Sequence, residues 1–180
     1  PEALFLHQQA IAELQDRLSM VNRTFRQPAI VSGFPVIWQT AFPEAEIFPD
    51  QNTLEITPNS CELVIHAMAL HWANDLVGQL IQCRRALQPD GLFLAACFGG
   101  QTLIELRAAL AEAEIEITGG LSPRIAPMAE IRDFGGLLQR AGFALPVADS
   151  ARLTVTYRSA RHLMHELRAM GENNALANRL

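Results

Sequence analysis

Apolar positions recur at helical or strand spacing along most of the chain. Leu4, Ile11, Leu14, Leu18 and Val21 share one helical face, which predicts an amphipathic helix over residues 3–22. The stretch PAIVSGFPVIW follows, and Pro28–Ser32 reads as a short buried strand stopped by Gly33 and Pro35. Residues 34–60 carry Pro35, Pro43, Pro49 and Pro58 and read as loops around one short strand, Ala45–Phe48. CELVIHAMAL is a near-continuous apolar run, as expected of a strand covered on both faces.

A helix is expected from Asn74 or Asp75, either a good N-cap, with Leu76, Leu80, Cys83 and Leu87 as its buried stripe. A Pro-Asp-Gly turn then leads into a second buried strand, Leu92–Phe98. In GGQTLIELRAAL, Thr102 and Glu105 have capping-box spacing, and Leu103, Leu106 and Leu110 are expected to face inward. Gly119–Pro127 reads as a loop and Met128–Ala141 as a helix stopped by Gly142. Ala144–Val147 and Leu153–Tyr157 read as strands, and Ser159 caps a last helix that ends at Gly171.

Strands alternating with helices predict an α/β fold with a mainly parallel, Rossmann-like sheet joined by right-handed crossovers. The division expected is an N-terminal helix, residues 1–24, and an α/β domain, residues 25–180. Ligands of such sheets bind beyond the carboxyl ends of the strands. His71 and Trp72 follow one such end, and Phe98, Gly99 and Gly100 the next.

Composition narrows the partners. The 180 residues carry a net charge of -5 and no basic run, which argues against nucleic acid. No stretch is long and apolar enough to span a bilayer, and Pro1-Glu2-Ala3 lacks the order of a signal peptide, so a cytoplasmic protein is expected. Cys61, Cys83 and Cys97 lack metal or disulfide spacing and read as reduced core thiols. His162, His165 and Glu166 lack a third ligand and read as a solvated helix face, so no metal is expected.

Several stretches in order, LVIHAMALHWANDL, LQPDGLFLAACFGGQTLIELR, GGLSPRIAP, LLQRAGF and MGENNA, resemble the class I S-adenosylmethionine-dependent methyltransferases. The likeness covers roughly residues 10–180. Its nearest branch contains the mitochondrial complex I assembly-factor methyltransferase-like protein and its bacterial relatives. The malonyl-carrier-protein methyltransferases are more distant. The resemblance implies S-adenosylmethionine as cofactor, and either methyl transfer or, as in the complex I branch, arginine hydroxylation.

In that family the first strand runs into a turn of the form D-x-G-x-G-x-G, whose glycines let the backbone approach the cofactor's methionine part. A carboxylate after the second strand grips the ribose. Here Gly33 alone remains, followed by Phe34 and Pro35. About 28 residues separate Gly33 from Glu62, too few for the helices and strands the family places there. The first helix, the second strand and the ribose carboxylate are therefore expected to be absent, as is the sheet's last strand. Catalytic residues are not identified. A rival reading is a silent relative that binds or assembles proteins, paired with a partner or a second copy through an exposed sheet edge.

By resemblance, Gly33, Asp50, His66, Ala67, His71 and Trp72 would meet the cofactor, and Phe98, Ser122 and Arg124 would face the substrate. Simpler readings stand beside these. Asp50 can open a turn, His66 can be a hydrogen-bonded core residue, and His71 and Trp72 can pack under the next helix. The loop of Ser122 and Arg124 can be a plain connector.

Overall fold

The computed structural model describes residues 2–122, 124–126 and 128–173. Four parallel strands form one sheet: β1 (Ala29–Val31), β2 (Glu46–Phe48), β3 (Cys61–Ala67) and β4 (Leu87–Ala96), in the order β2-β1-β3-β4. In a doubly wound sheet of order 3-2-1-4-5, these strands take the places 2, 1, 4 and 5. The order reverses at β1, so the crevice for a ligand lies beyond the carboxyl ends of β1 and β3.

Side chains divide by strand period. Ile30, Leu63 and Ile65 face a layer built from Ala10, Ile11 and Leu14 of α1 (Phe5–Met20) and Trp38 of α2 (Pro35–Ala41). Ala29, Val31 and Val64 face the opposite layer, with Cys83 and Ala86 of α3 (Leu76–Ala86) and Leu54. Leu80 of α3 also packs with Leu70 and Ala141, joined by Leu137 and Leu138 of α5 (Ile131–Arg140). Two further helices, α4 (Ile104–Thr118) and α6 (Ala160–Ala169), complete the described elements. Burial pushes the Cys83 and Cys97 thiols up to about 12 and about 11, so neither is a ready nucleophile. Among the described residues, no helix is long and apolar enough to cross a membrane.

Caps and stops follow their chemistry. The Asp75 carboxylate accepts from Gly78 N at 2.9 Å, and Ser159 Oγ accepts from His162 N at 3.2 Å. Gly142 (φ 87°) ends α5 in the left-handed region, where glycine carries no Cβ penalty.

Four expectations are corrected. The stretch after Gly33 holds a helix, because Pro35 suits the first helical position and Trp38 is wholly buried beneath the turn. The short strand expected at Ala45–Phe48 is β2, and it stands beside β1, with Ser32 N donating to Phe48 O, so the expected loss of the strand that neighbours the first does not hold. The Thr102–Glu105 box does not form, since Leu103, at φ 55°, is the N-cap and no side chain caps the helix. Residues 144–147 start in a bend, with Leu145 at φ 50°, and residues 153–157 form no regular element; neither segment pairs with a described strand, so their alternation finds no sheet edge to join. The Pro-Asp-Gly turn is present but lies inside β4. There Cys61 aligns with Leu87 and Leu63 with Leu92, and Asp90 takes φ 62° in the surplus loop.

Candidate functional site

The crevice starts at Ser32, whose buried Oγ accepts from Phe34 N at 3.1 Å and bends the chain at Gly33. A Cβ on Gly33 would stand 3.2 Å from Asp50 Oδ1. Glycine thus lets the Asp50 carboxylate lie against the turn, with both residues exposed. Asp50 follows β2 by two residues, so a carboxylate does stand beyond the strand that neighbours β1.

Phe34 continues inward. Its ring lies 4.6 Å from the His7 imidazole, centroid to centroid, and a Cβ on Gly171 would come within 3.0 Å of its edge. Gly171 holds φ 80° as it turns the chain out of the last helix. His7 Nδ1 accepts from Trp38 Nε1 at 3.1 Å, which ties α1 to α2. Burial holds the His7 imidazole below its usual value, as an acceptor nitrogen requires.

At the end of β3, Met68 takes φ 55° while its N–H donates to Ala96 O. A single turn of 3₁₀-helix, Leu70–Trp72, then drives His71 inward. The His71 ring lies 4.8 Å from Phe98 and 5.3 Å from Trp72, and its Nε2 sits 3.1 Å from a Glu172 oxygen. This pair is nearly dry, at 2% and 8% side-chain exposure. His71 Nδ1 is buried without a partner among the described residues. His7, Phe34, Gly171, Glu172, His71 and Phe98 thus form a continuous packed group around the strand ends.

His66 and Ala67 lie inside β3, fully buried. Gln79 Nε2 donates to Gln51 O, so Gln79 Oε1 faces His66 Nε2 at 3.1 Å and accepts its proton. Burial lowers the His66 imidazole to about 4, so it is neutral with a bare, covered Nδ1. Ala67 packs in the core layer. Both are therefore interior residues of the sheet, and His66 is hydrogen-bonded within the core.

Ser122 and Arg124 turn to α4. Glu114 Oε2 accepts from Ser122 N at 3.0 Å, and Oε1 accepts from Ser122 Oγ and from Arg124 Nη2, the latter at 2.7 Å. Arg124 and the Ser122 donors hold the Glu114 carboxyl down at about 2. Ser122 and Arg124 are thus both bound to Glu114, while Arg124 stays exposed.

The structure brings Gly33 to Asp50, and His71 to Trp72 and Phe98. Sequence reasoning missed Glu114, Gln79 and Glu172, whose partners lie far along the chain or on another element, and His7, which reads as an ordinary helix residue. Among the described residues, no three His, Cys, Asp or Glu side chains converge as metal ligands. A groove of about 580 Å³ lies elsewhere, between Phe5, Gln8 and Gln9 and residues 153–156.

A parallel sheet of this order, with its crevice beyond β1 and β3, defines the Rossmann-like fold of S-adenosylmethionine-dependent methyltransferases. One such enzyme of Thermotoga maritima, a possible histamine N-methyltransferase, superposes with a TM-score of 0.53 at 12% identity, over 78% of this chain and 74% of that one. No protein-family profile matches the chain. In sequence, the chain is a homologue of the mitochondrial arginine-hydroxylase NDUFAF5 and of malonyl-[acyl-carrier protein] O-methyltransferases. Identity to the Mus musculus hydroxylase is 43% over 141 residues, covering 78% of this chain and 41% of the relative. Identity to the Xylella fastidiosa methyltransferase is 38% over 137 residues, covering 76% and 44%. The chain thus spans somewhat under half the length of these curated relatives.

Proposed function

We propose that this chain is a methyltransferase-like domain whose cofactor site is closed at its methionine end, and that it works by binding protein rather than by transferring methyl groups. One observation carries the reading. Phe34 stands where the family's turn continues in glycines, and it is packed between His7 and Gly171. Beside it the Glu172–His71 pair seals the same strand ends. A ligand entering there must displace an aromatic ring and a dry hydrogen-bonded pair, and removing one partner of such a pair leaves the other's buried polar group unsatisfied. Class I methyl transfer asks little of the protein beyond a seated, aligned cofactor, so loss of the seat silences it. The domain then serves as an assembly module in the cytoplasm, for subunits of the kind the complex I branch implies, and pairs with a second copy through the outer edge of β4.

The test is calorimetry of the 180-residue chain with S-adenosylmethionine and with its demethylated product. The expected result is no heat of binding up to about 1 mM, a dissociation constant corresponding to only about −4 kcal/mol. Micromolar binding of either compound sinks the proposal. That outcome would favour an active enzyme, the reading supported by the exposed Asp50 carboxylate beside Gly33.

A further inference from the structure

An apolar stripe of α4 faces solvent. Ile104, Ala108, Ala111 and Ile115 recur at spacings of four, three and four, so they share one side of the helix. Ile104 is 51% exposed and Ile115 56%, Ala108 is exposed and Ala111 half-buried. Leu106, Leu110 and Glu114, on the opposite side, are the covered ones. One exposed isoleucine is ordinary. Two isoleucines in line with two alanines between them have the spacing of a two-helix seam. The alanines leave a saddle in which a larger side chain of a facing helix seats as a knob.

Charge decides the occupant. Glu105, Glu112 and Glu116 each follow a stripe residue by one position, about 100° round the helix, and all three are exposed. Among the described residues none of them is in an ion pair. The two arginines at this helix do not offset them, since Arg124 is held by Glu114 and Arg107 has its Nε and Nη2 covered. Residues beside a seam pair with charges on the partner helix. A second copy of α4 laid antiparallel sets one acidic row against the other, and laid parallel it meets only the engaged Glu114 and the covered edge of Arg107.

We infer that the Ile104–Ile115 face of α4 docks an amphipathic helix of another protein, with large apolar side chains at seam spacing and lysines or arginines beside them. The inference rests on the protein-binding reading above, but it uses none of the residues packed around the strand ends.

The probe is a synthetic peptide of about 18 residues, long enough to hold a helix, with leucines at the four-three-four spacing and a lysine after each. The control is the same peptide with glutamates for the lysines. By fluorescence anisotropy the basic peptide should bind the chain saturably, and the acidic one at least about tenfold more weakly. Ile115→Asp, at an exposed position, should abolish binding and leave the urea midpoint unchanged. Glu105→Arg with Glu112→Arg should exchange the preference between the peptides. Glu44→Arg with Glu55→Arg makes the same change in net charge at exposed positions outside α4, and it should leave the basic peptide preferred. The inference is overturned if the basic peptide does not bind at about 1 mM, or if the acidic one binds as tightly. It is equally overturned if Ile115→Asp keeps the affinity, or if the Glu44 and Glu55 reversals exchange the preference as well. Self-association that Ile115→Asp abolishes would give the face to a second copy and overturn it too. Calorimetry with S-adenosylmethionine reports on the strand ends alone, so cofactor binding there would leave these peptide results standing.

Discussion

Two buried side chains set the response of this protein to acid, and they titrate in different windows. His66 is neutral inside β3, lowered to about 4 from an ordinary value near 6.5. The unfolded chain therefore binds more protons below pH 6.5, and the native state loses roughly 3 kcal/mol as pH falls from about 7 to about 4. Glu114 is held at about 2 by Arg124 and Ser122, below the ordinary 4.5. Its contribution is complete above the unfolded value and is lost as pH falls from there toward 2. Urea unfolding measured across this range should decline in both windows. His66→Gln, which keeps an N–H for Gln79, should flatten the upper decline, and Glu114→Gln the lower one. An unchanged upper slope in His66→Gln would place the titrating group elsewhere. Little of this was legible in sequence. A histidine in an apolar strand invites both a ligand and a core reading, and only the Gln79 side chain, thirteen positions on, decides between them.

Among the elements, the strongly patterned ones were readable and the contextual ones were not. β3, α1 and α3 announce themselves by apolar runs or stripes, and Asp75 and Ser159 by capping chemistry. α2 did not, because two prolines flank it and its stability comes from burying Trp38 rather than from propensity. The segments near Leu145 and Leu153 show the opposite error: alternation predicts a strand only if another strand lies alongside. Trp38 also joins α2 to α1 through His7, so Trp38→Phe keeps the ring volume near its place but leaves His7 Nδ1 without its donor. That variant should unfold at lower urea, with a loss of about 1–3 kcal/mol. A loss below about 0.3 kcal/mol would mean that the hydrogen bond contributes nothing net.

For the whole molecule, the parallel sheet was foreseeable from alternating strands and helices, whereas the strand order and the packing of side chains around the strand ends were not. That packing joins His7, Phe34, Gly171 and Glu172, residues far apart in the chain, and no local pattern links them. Among the described residues the sheet also ends openly. No described strand pairs with the outer edge of β4, where Ala95 is exposed. Unpaired N–H and C=O groups on such an edge recruit another strand unless a charge blocks it. Sedimentation should therefore give about twice the 19.8 kDa chain mass. Ala95→Lys should return the chain to single mass, and a wild-type monomer would remove the edge from consideration.

The position of β1 also has a consequence for biosynthesis. Its two neighbours, β2 and β3, are both translated after it, and the helix that covers it comes before it. A nascent chain that has not yet reached Cys61 can offer β1 only the three-residue pairing with β2. The apolar stripe of α1 meanwhile lacks Leu63 and Ile65, against which it will rest. The segment before Cys61 thus emerges with an unsatisfied apolar surface, and the core on this side of the sheet can close only once β3 has cleared the exit tunnel.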